Sequence, residues 1–287
     1  MNVENEHKNL LALDARFSTA IRDRDNAPPL PLSNPAMLCN SGNLFKGAIK
    51  VRWLVLQHIE VEHPGSWRDF MRADGVVYDT VELDAGETIP SLEGYDALIC
   101  MGGPMDVFDE TEHPWLAAEK SIIREAVIDR QIPYLGFCLG HQLLADALGG
   151  TVGRMTEPEV GLMEVSLTTA GQSDPLFEGL DVSLACLQWH SCEITTPPKG
   201  SEILASSCLC PTQAIRVGRH AYGLQFHVEL TAKTVAEWGG VPAYTQSLET
   251  TLGTGALALL DADIAEKLPN ISLTARAIYD NFTALMR

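Results

Sequence analysis

At 287 residues, with 46% hydrophobic and 20% charged side chains, the chain is long enough for one large α/β domain or two small ones; one core with appendages is expected. Its 20 Lys and Arg stand against 38 Asp and Glu, a formal balance of −18, so no basic cluster is available to release counterions and neither nucleic acid nor an anionic membrane is an expected partner. Seven cysteines without framework spacing point to reduced thiols, no apolar run reaches membrane-spanning length, and Glu4, Glu6 and Asp14 stand where a signal peptide would start; a soluble cytoplasmic protein is expected.

Residues 1–49 run into Asn26-Ala27-Pro28-Pro29-Leu30-Pro31-Leu32-Ser33-Asn34-Pro35, whose prolines forbid a helix, and read as a partly disordered N-terminal extension without motif residues. From Val51 the pattern becomes strand (Val51 to Leu56), helix (near Trp67 to Ala73), strand (Val76 to Val81), strand (Ala97 to Met101) and helix (Trp115 to Val127). A further short apolar strand precedes Cys138. Such alternation predicts an α/β fold with a mostly parallel twisted sheet and helices on both faces, its ligands beyond the carboxyl ends of the strands. Past Gly150 come β-like runs around Val165, Leu184, Ile203, Ile215 and Tyr222 to Val228, so this half is expected to be more antiparallel. Residues 50–240 read as one domain. Residues 241–287 read as a C-terminal helical segment with two patterns, Ala256 to Ile264 and Leu273 to Met286, separated by Pro269-Asn270.

The stretch Gln131 to Gly150 organises the chain. Its apolar start is too short for a helix, and Leu143, Leu144, Ala147 and Leu148 then recur at helical spacing up to Gly149-Gly150. Between them lies Gly136-x-Cys138-x-Gly140, the nucleophile-elbow pattern with a thiol in place of serine. An elbow would present Cys138 at the top of the sheet, facing the first amides of the next helix, whose partial positive charge favours an anion there. A cysteine before a core helix is also what a small buried hydrophobe looks like, so residues elsewhere must decide.

Two other segments supply partners. In Gly223-Leu224-Gln225-Phe226-His227-Val228-Glu229, a strand over Leu224 to Glu229 would project His227 and Glu229 to one side, so that the carboxylate orients the imidazole as base for the thiol; an ordinary strand-end ion pair would look the same. His141 and His190 are competing bases, but neither has an acid two residues on. In Cys100-Met101-Gly102-Gly103-Pro104-Met105, two glycines at a strand end let backbone amides approach a ligand, and Gly103 N–H with Leu139 N–H would make a two-donor oxyanion hole; a plain strand-to-loop turn is the alternative.

Together Gly136-Phe137-Cys138-Leu139-Gly140-His141-Gln142, Gly102-Gly103-Pro104 and Tyr222 to Glu229 resemble, in the same order, the motifs of the class I, triad-type glutamine amidotransferases. The likeness spans roughly residues 50–240 and is strongest to stand-alone members similar to the amidotransferase domain of GMP synthetase. The resemblance implies a catalytic domain with a Cys138, His227, Glu229 triad, attack on the amide of glutamine or another γ-glutamyl amide, and hydrolysis of a γ-glutamyl thioester with no metal or organic cofactor. By the same resemblance, Gln142 contacts the glutamyl group, and the region of Trp189 and His190 reads its amino-acid end. Two positions depart from the pattern. Val228 replaces the proline between His and Glu, and Trp189-His190-Ser191-Cys192 replaces Trp-His-Gly-Asp, so either Glu193 supplies the missing carboxylate or the accepted substrate differs. Cys186, Cys192, Cys208 and Cys210 fit no common zinc spacing, and no metal site is expected. A free-standing hydrolase is expected first, and a glutaminase subunit feeding a separate synthetase second. A non-catalytic binding module on the same fold is the alternative of another class.

Overall fold

Along β1, Arg52–Gln57, successive side chains enter different cores: Trp53 and Val55 pack on one face of the sheet, Leu54 and Leu56 on the other. Burial on both faces explains why the run reads as continuously apolar, as expected of a parallel strand covered by helices on each side. The computed structural model describes residues 51–286, and the extension expected over residues 1–49 lies outside the described residues. After β1 follow α1 (Trp67–Asp74), β2 (Val77–Glu82), β3 (Ala97–Cys100), α2 (Trp115–Arg124), β4 (Tyr134–Phe137) and α3 (Leu139–Ala147). Next come β5 (Thr151–Leu167), the short α4 (Thr169–Gln172), β6 (Ser183–Thr196), β7 (Ser201–Ser206), β8 (Ala214–Val217) and β9 (Ala221–Leu224). Helices α5 (Thr234–Trp238), α6 (Pro242–Leu252) and α7 (Ala256–Ala284) follow.

One nine-stranded sheet holds them in the order β2-β1-β3-β4-β9-β8-β7-β5-β6. From β2 to β9 neighbours run parallel, and from β9 to β6 they run antiparallel. The expected change of texture at Gly150 is therefore a change of strand direction. Side chains of α2 and α3 (Leu116, Ile123, Leu143, Leu144) cover one face, while those of α1 and α7 (Trp67, Met71, Tyr279, Phe282) cover the other. Trp53 lies within 5.6 Å of Tyr279 and 5.8 Å of Phe282, so α7 is part of the core around β1.

Four sequence readings need correction. The two C-terminal patterns are one helix, α7, with Pro269 inside it. Proline there removes one backbone donor, but Pro269 and Ala265 lie on the exposed side, so the freed carbonyl can turn to water. The short runs around Val165 and Leu184 belong to long paired strands, β5 and β6, whose register slips between Arg154 and Glu159, beside Pro158. The helix from Trp115 leaves α geometry at Glu125 and ends in a π turn, Glu125–Arg130, closed by left-handed Gln131. Helix α5 lies outside the expected helices, and α6 lies within the expected C-terminal helical segment but outside its two patterns.

Candidate active site

Strand β4 feeds directly into α3 through Cys138, whose φ of 48° and ψ of −101° place a non-glycine residue in a strained conformation. The flanking glycines are required by close approach. A Cβ on Gly140 would sit 2.2 Å from the Cys100 oxygen, and one on Gly136 would sit 2.3 Å from the Gly140 carbonyl carbon. The turn is fixed by Cys138 N–H donating to Leu224 O at 2.8 Å and Gln142 N–H donating to Cys138 O at 3.1 Å. Cys138 is thus locked at the carboxyl end of β4, on the floor of a narrow cavity of about 110 Å3. Gly103, Asp106, Leu139, Gln142, Trp189, His190, Cys192 and Tyr244 are among the residues lining it.

Strand β9 ends at Leu224, so the expected strand over Leu224 to Glu229 is corrected: the chain leaves the ladder and is caught again by a two-way bridge between His227 and Leu187. His227 Nδ1 lies 2.6 Å from Glu229 Oε1, and Glu229 Oε2 accepts from Val228 N–H at 3.0 Å. The backbone bond holds the carboxylate independently of the imidazole. Trp238 meets the His227 ring edge-on at 4.7 Å between centroids. Burial opposes the charged imidazole, but Glu229 and the Cys138 sulfur outweigh it and hold its pKa well above the ordinary histidine value.

The competing histidines are committed elsewhere. His141 points away from the cavity: its Nε2 lies 3.1 Å from the Thr212 carbonyl, and burial lowers its pKa to about 3, so the ring is neutral. His190 lines the cavity, yet its Nε2 is 3.0 Å from Glu159 Oε2 and its Nδ1 is 2.9 Å from Cys192 O.

Gly103 and Leu139 both line the cavity, and their amides make no hydrogen bond among the described residues. Gln142 donates to Cys192 O and to Gln225 Oε1, both at 3.0 Å, and Gln225 Nε2 lies 3.6 Å from the Cys138 sulfur. Trp189 lines the cavity between Trp238 and Tyr244. Glu193 is the exception among the expected residues. Cys192 lines the cavity, while Glu193 opens onto a different depression with Met155, Thr156, Glu157 and Leu209.

The carboxylate in the cavity is Asp106, from the loop after Gly102-Gly103-Pro104. Its Oδ1 takes the Cys192 S–H at 3.1 Å, and its Oδ2 pairs with the exposed Arg154 guanidinium. Burial and Asp106 push the Cys192 thiol up to about 12, so it stays a donor. Tyr244 of α6 also stacks over the cavity, its hydroxyl donating to Glu62, a carboxyl pushed up by burial whose Oε2 has no partner among the described residues. Asp106 had a visible signal, an acid two residues after the proline of a glycine loop. Gln225, Glu62 and Tyr244 had none, because each depends on a long-range contact.

Sheet, elbow and His–Glu pair define a cysteine-elbow α/β protein of the hydrolase type. The chain matches the family model described as glutamine amidotransferase class-I over residues 69–237, and it belongs to that family. It is 31% identical over 182 residues to the glutamine amidotransferase-like protein YfeJ of Salmonella typhimurium, a match covering 62% of this chain and 75% of that protein. One subunit of the glutamine-hydrolysing GMP synthase of Sulfurisphaera tokodaii is 37% identical over 153 residues, covering 53% of this chain and 77% of its own length. Among solved structures, a glutamine amidotransferase from Thermotoga maritima matches with a TM-score of 0.72 at 29% identity, covering 81% of this chain and 97% of that one. No helix among the described residues is long and apolar enough to cross a membrane.

Proposed function

We propose that the chain is a cysteine amidohydrolase that cleaves the γ-amide of glutamine or another γ-glutamyl amide, with Cys138 as nucleophile, His227 as acid–base and Glu229 as the carboxylate that orients His227. The observation that carries the reading is the 2.6 Å contact between His227 and Glu229 within the buried site whose elbow presents Cys138. In this mechanism the thiol proton passes to His227 as sulfur attacks the amide carbon. The resulting oxyanion is held by Gly103 N–H and Leu139 N–H. Collapse breaks the C–N bond, and His227 gives its proton to the departing amine or ammonia. Water, deprotonated by His227, then attacks the γ-glutamyl thioester and releases glutamate and the free thiol.

Recognition of the amino-acid end falls to Asp106 in place of Glu193. Its carboxylate would take the substrate ammonium in exchange for the weak Cys192 S–H, and Arg154, already paired with it at the mouth, would meet the substrate carboxylate. Gln142 and Trp189 complete the glutamyl wall.

A free-standing hydrolase of γ-glutamyl amides is the first reading. A glutaminase subunit passing ammonia to a separate synthetase is the second, favoured by the likeness to chains named as subunits of glutamine-hydrolysing GMP synthases. Assaying the isolated chain against glutamine and a panel of γ-glutamyl amides tests both. Turnover of amides with bulky amines supports the first, and slow glutamine-only turnover supports the second. No turnover of any member together with no labelling of Cys138 by a glutamine-like diazo ketone would remove both.

A further inference from the structure

Behind the Gly102-Gly103 loop lies a buried pair that the mechanism leaves unused. His58, at the carboxyl end of β1, and Glu119, on α2, both have fully buried side chains. His58 Nδ1 lies 2.8 Å from the carbonyl oxygen of Gly102, and its Nε2 lies 3.0 Å from each oxygen of Glu119. A carbonyl only accepts, so Nδ1 carries a proton. Nε2 faces both oxygens of Glu119, so that an imidazolium here is clamped between two acceptors. Burial works against that charge, and Glu119 outweighs it, raising the His58 pKa above the ordinary value. Trp115 stacks on the ring at 5.4 Å and 24°, removing its remaining freedom.

The Gly102–Gly103 peptide is trans and planar, so its C=O and N–H point in opposite directions. Holding the Gly102 oxygen against His58 therefore sends the Gly103 N–H away from His58, on the side where Gly103 lines the cavity with Cys138 and Leu139. Two glycines in succession would otherwise let this peptide rotate. No side chain can steady it from within, since a Cβ on Gly102 would come 2.6 Å from Glu62 Oε2 and one on Gly103 would come 2.9 Å from His58 Cβ.

We propose that His58, clamped by Glu119, is a positioning residue for the oxyanion hole, fixing the Gly102–Gly103 peptide so that the Gly103 amide faces the oxygen of a carbonyl attacked by Cys138. The inference rests on the proposed roles of Cys138 and Gly103, and its test uses a reaction that does not depend on the natural substrate. Acylation of Cys138 by p-nitrophenyl acetate passes through a tetrahedral oxyanion. Alkylation by iodoacetamide displaces iodide at carbon and forms none. The ratio of the two rates isolates the oxyanion hole from thiol reactivity and from folding.

An asparagine amide at position 58 can stand where Nδ1 stands and still donate to Gly102, while a glutamine amide reaches toward Glu119 instead. His58→Asn is expected to keep the acylation rate within about fivefold of the parent. His58→Gln is expected to lose about tenfold to a thousandfold, the range for removing one oxyanion donor, with alkylation unchanged. If His58 variants do not fold, Glu119 decides. Glu119→Ala should lower acylation at least about fivefold at unchanged alkylation, and Glu119→Gln, whose amide can donate to Nε2 and keep the proton on Nδ1, should recover most of it. Folded His58→Gln with a parental ratio overturns the inference, as do equal losses in Asn and Gln variants or a parental ratio in Glu119→Ala. A parent that neither turns over any γ-glutamyl amide nor is labelled at Cys138 by a glutamine-like diazo ketone would sink the proposed function, and the two rates would still decide this one.

Discussion

Cys138, His227 and Glu229 differ in what their loss would leave behind. Cys138→Ala removes only the sulfur of a buried side chain, so the fold should stand while turnover falls by at least about 10⁴-fold; turnover within about tenfold of the parent would end covalent catalysis. His227→Asn should come close to that loss. Glu229→Gln should do less damage, because an amide can still hold the ring without stabilising its charge, and an order of effects with His141 ahead of His227 would mean the wrong base. The substrate prediction moves with the carboxylate. Asp106→Asn should lower kcat/KM for γ-glutamyl substrates by about tenfold to a thousandfold, and N-acetylated substrates should lose their disadvantage in the variant. Equal handling of acylated and free-amine substrates by the parent would remove Asp106 from recognition. The elbow, the His–Glu pair and the glycine loop were legible in sequence because each is a local pattern whose spacing is its chemistry. Glu193 was misplaced because proximity in sequence does not fix which depression a side chain enters, and His58, Glu62 and Tyr244 reach the site only through tertiary contacts.

Among the elements, β4 and α3 are held by close backbone approach on either side of the elbow. Gly140 lies against the backbone of β3, and a Cβ there would be 2.2 Å from a carbonyl oxygen, a clash that no side-chain rotation relieves. Gly140→Ala should therefore destabilise by about 3 kcal/mol or more, the upper end for overpacking, and should disturb the elbow before the rest of the sheet. Equilibrium unfolding with the iodoacetamide rate as a local probe measures both, and an unchanged urea midpoint would mean that β3 yields easily. The strand-helix alternation up to α3 was legible because both periods are short and buried faces are apolar. What lay beyond was harder to read. In β5, Gly153, Pro158 and Gly161 look like breakers although pairing with β6 continues around them, and in α7 a proline masks one helix because its tolerance depends on which side meets water.

For the whole molecule, the buried histidines set opposing pH dependences on a chain whose formal charge is −18. His141 is neutral in the fold, with its pKa lowered from 6.5 to about 3, so the unfolded chain binds a proton first on acidification. Its contribution is present above about pH 6.5 and is lost as pH falls toward 3. His58 and His227 have raised values, so their contributions are present below the ordinary histidine pKa and are lost as pH rises through the raised ones. Lowering the pH also relieves repulsion among surface carboxylates, so the parent curve alone cannot isolate any one group. A difference between two proteins can. His141→Gln removes the titrating ring and should be the less stable protein at about pH 8, because a tightly packed imidazole and its bond to Thr212 are disturbed. Between about pH 6.5 and 4 the parent should lose about 3 kcal/mol that the variant does not, the linkage value for a group kept neutral over that interval. Urea midpoints measured from about pH 8 to 4 should therefore converge, and parallel curves would mean that His141 takes up its proton without unfolding the chain.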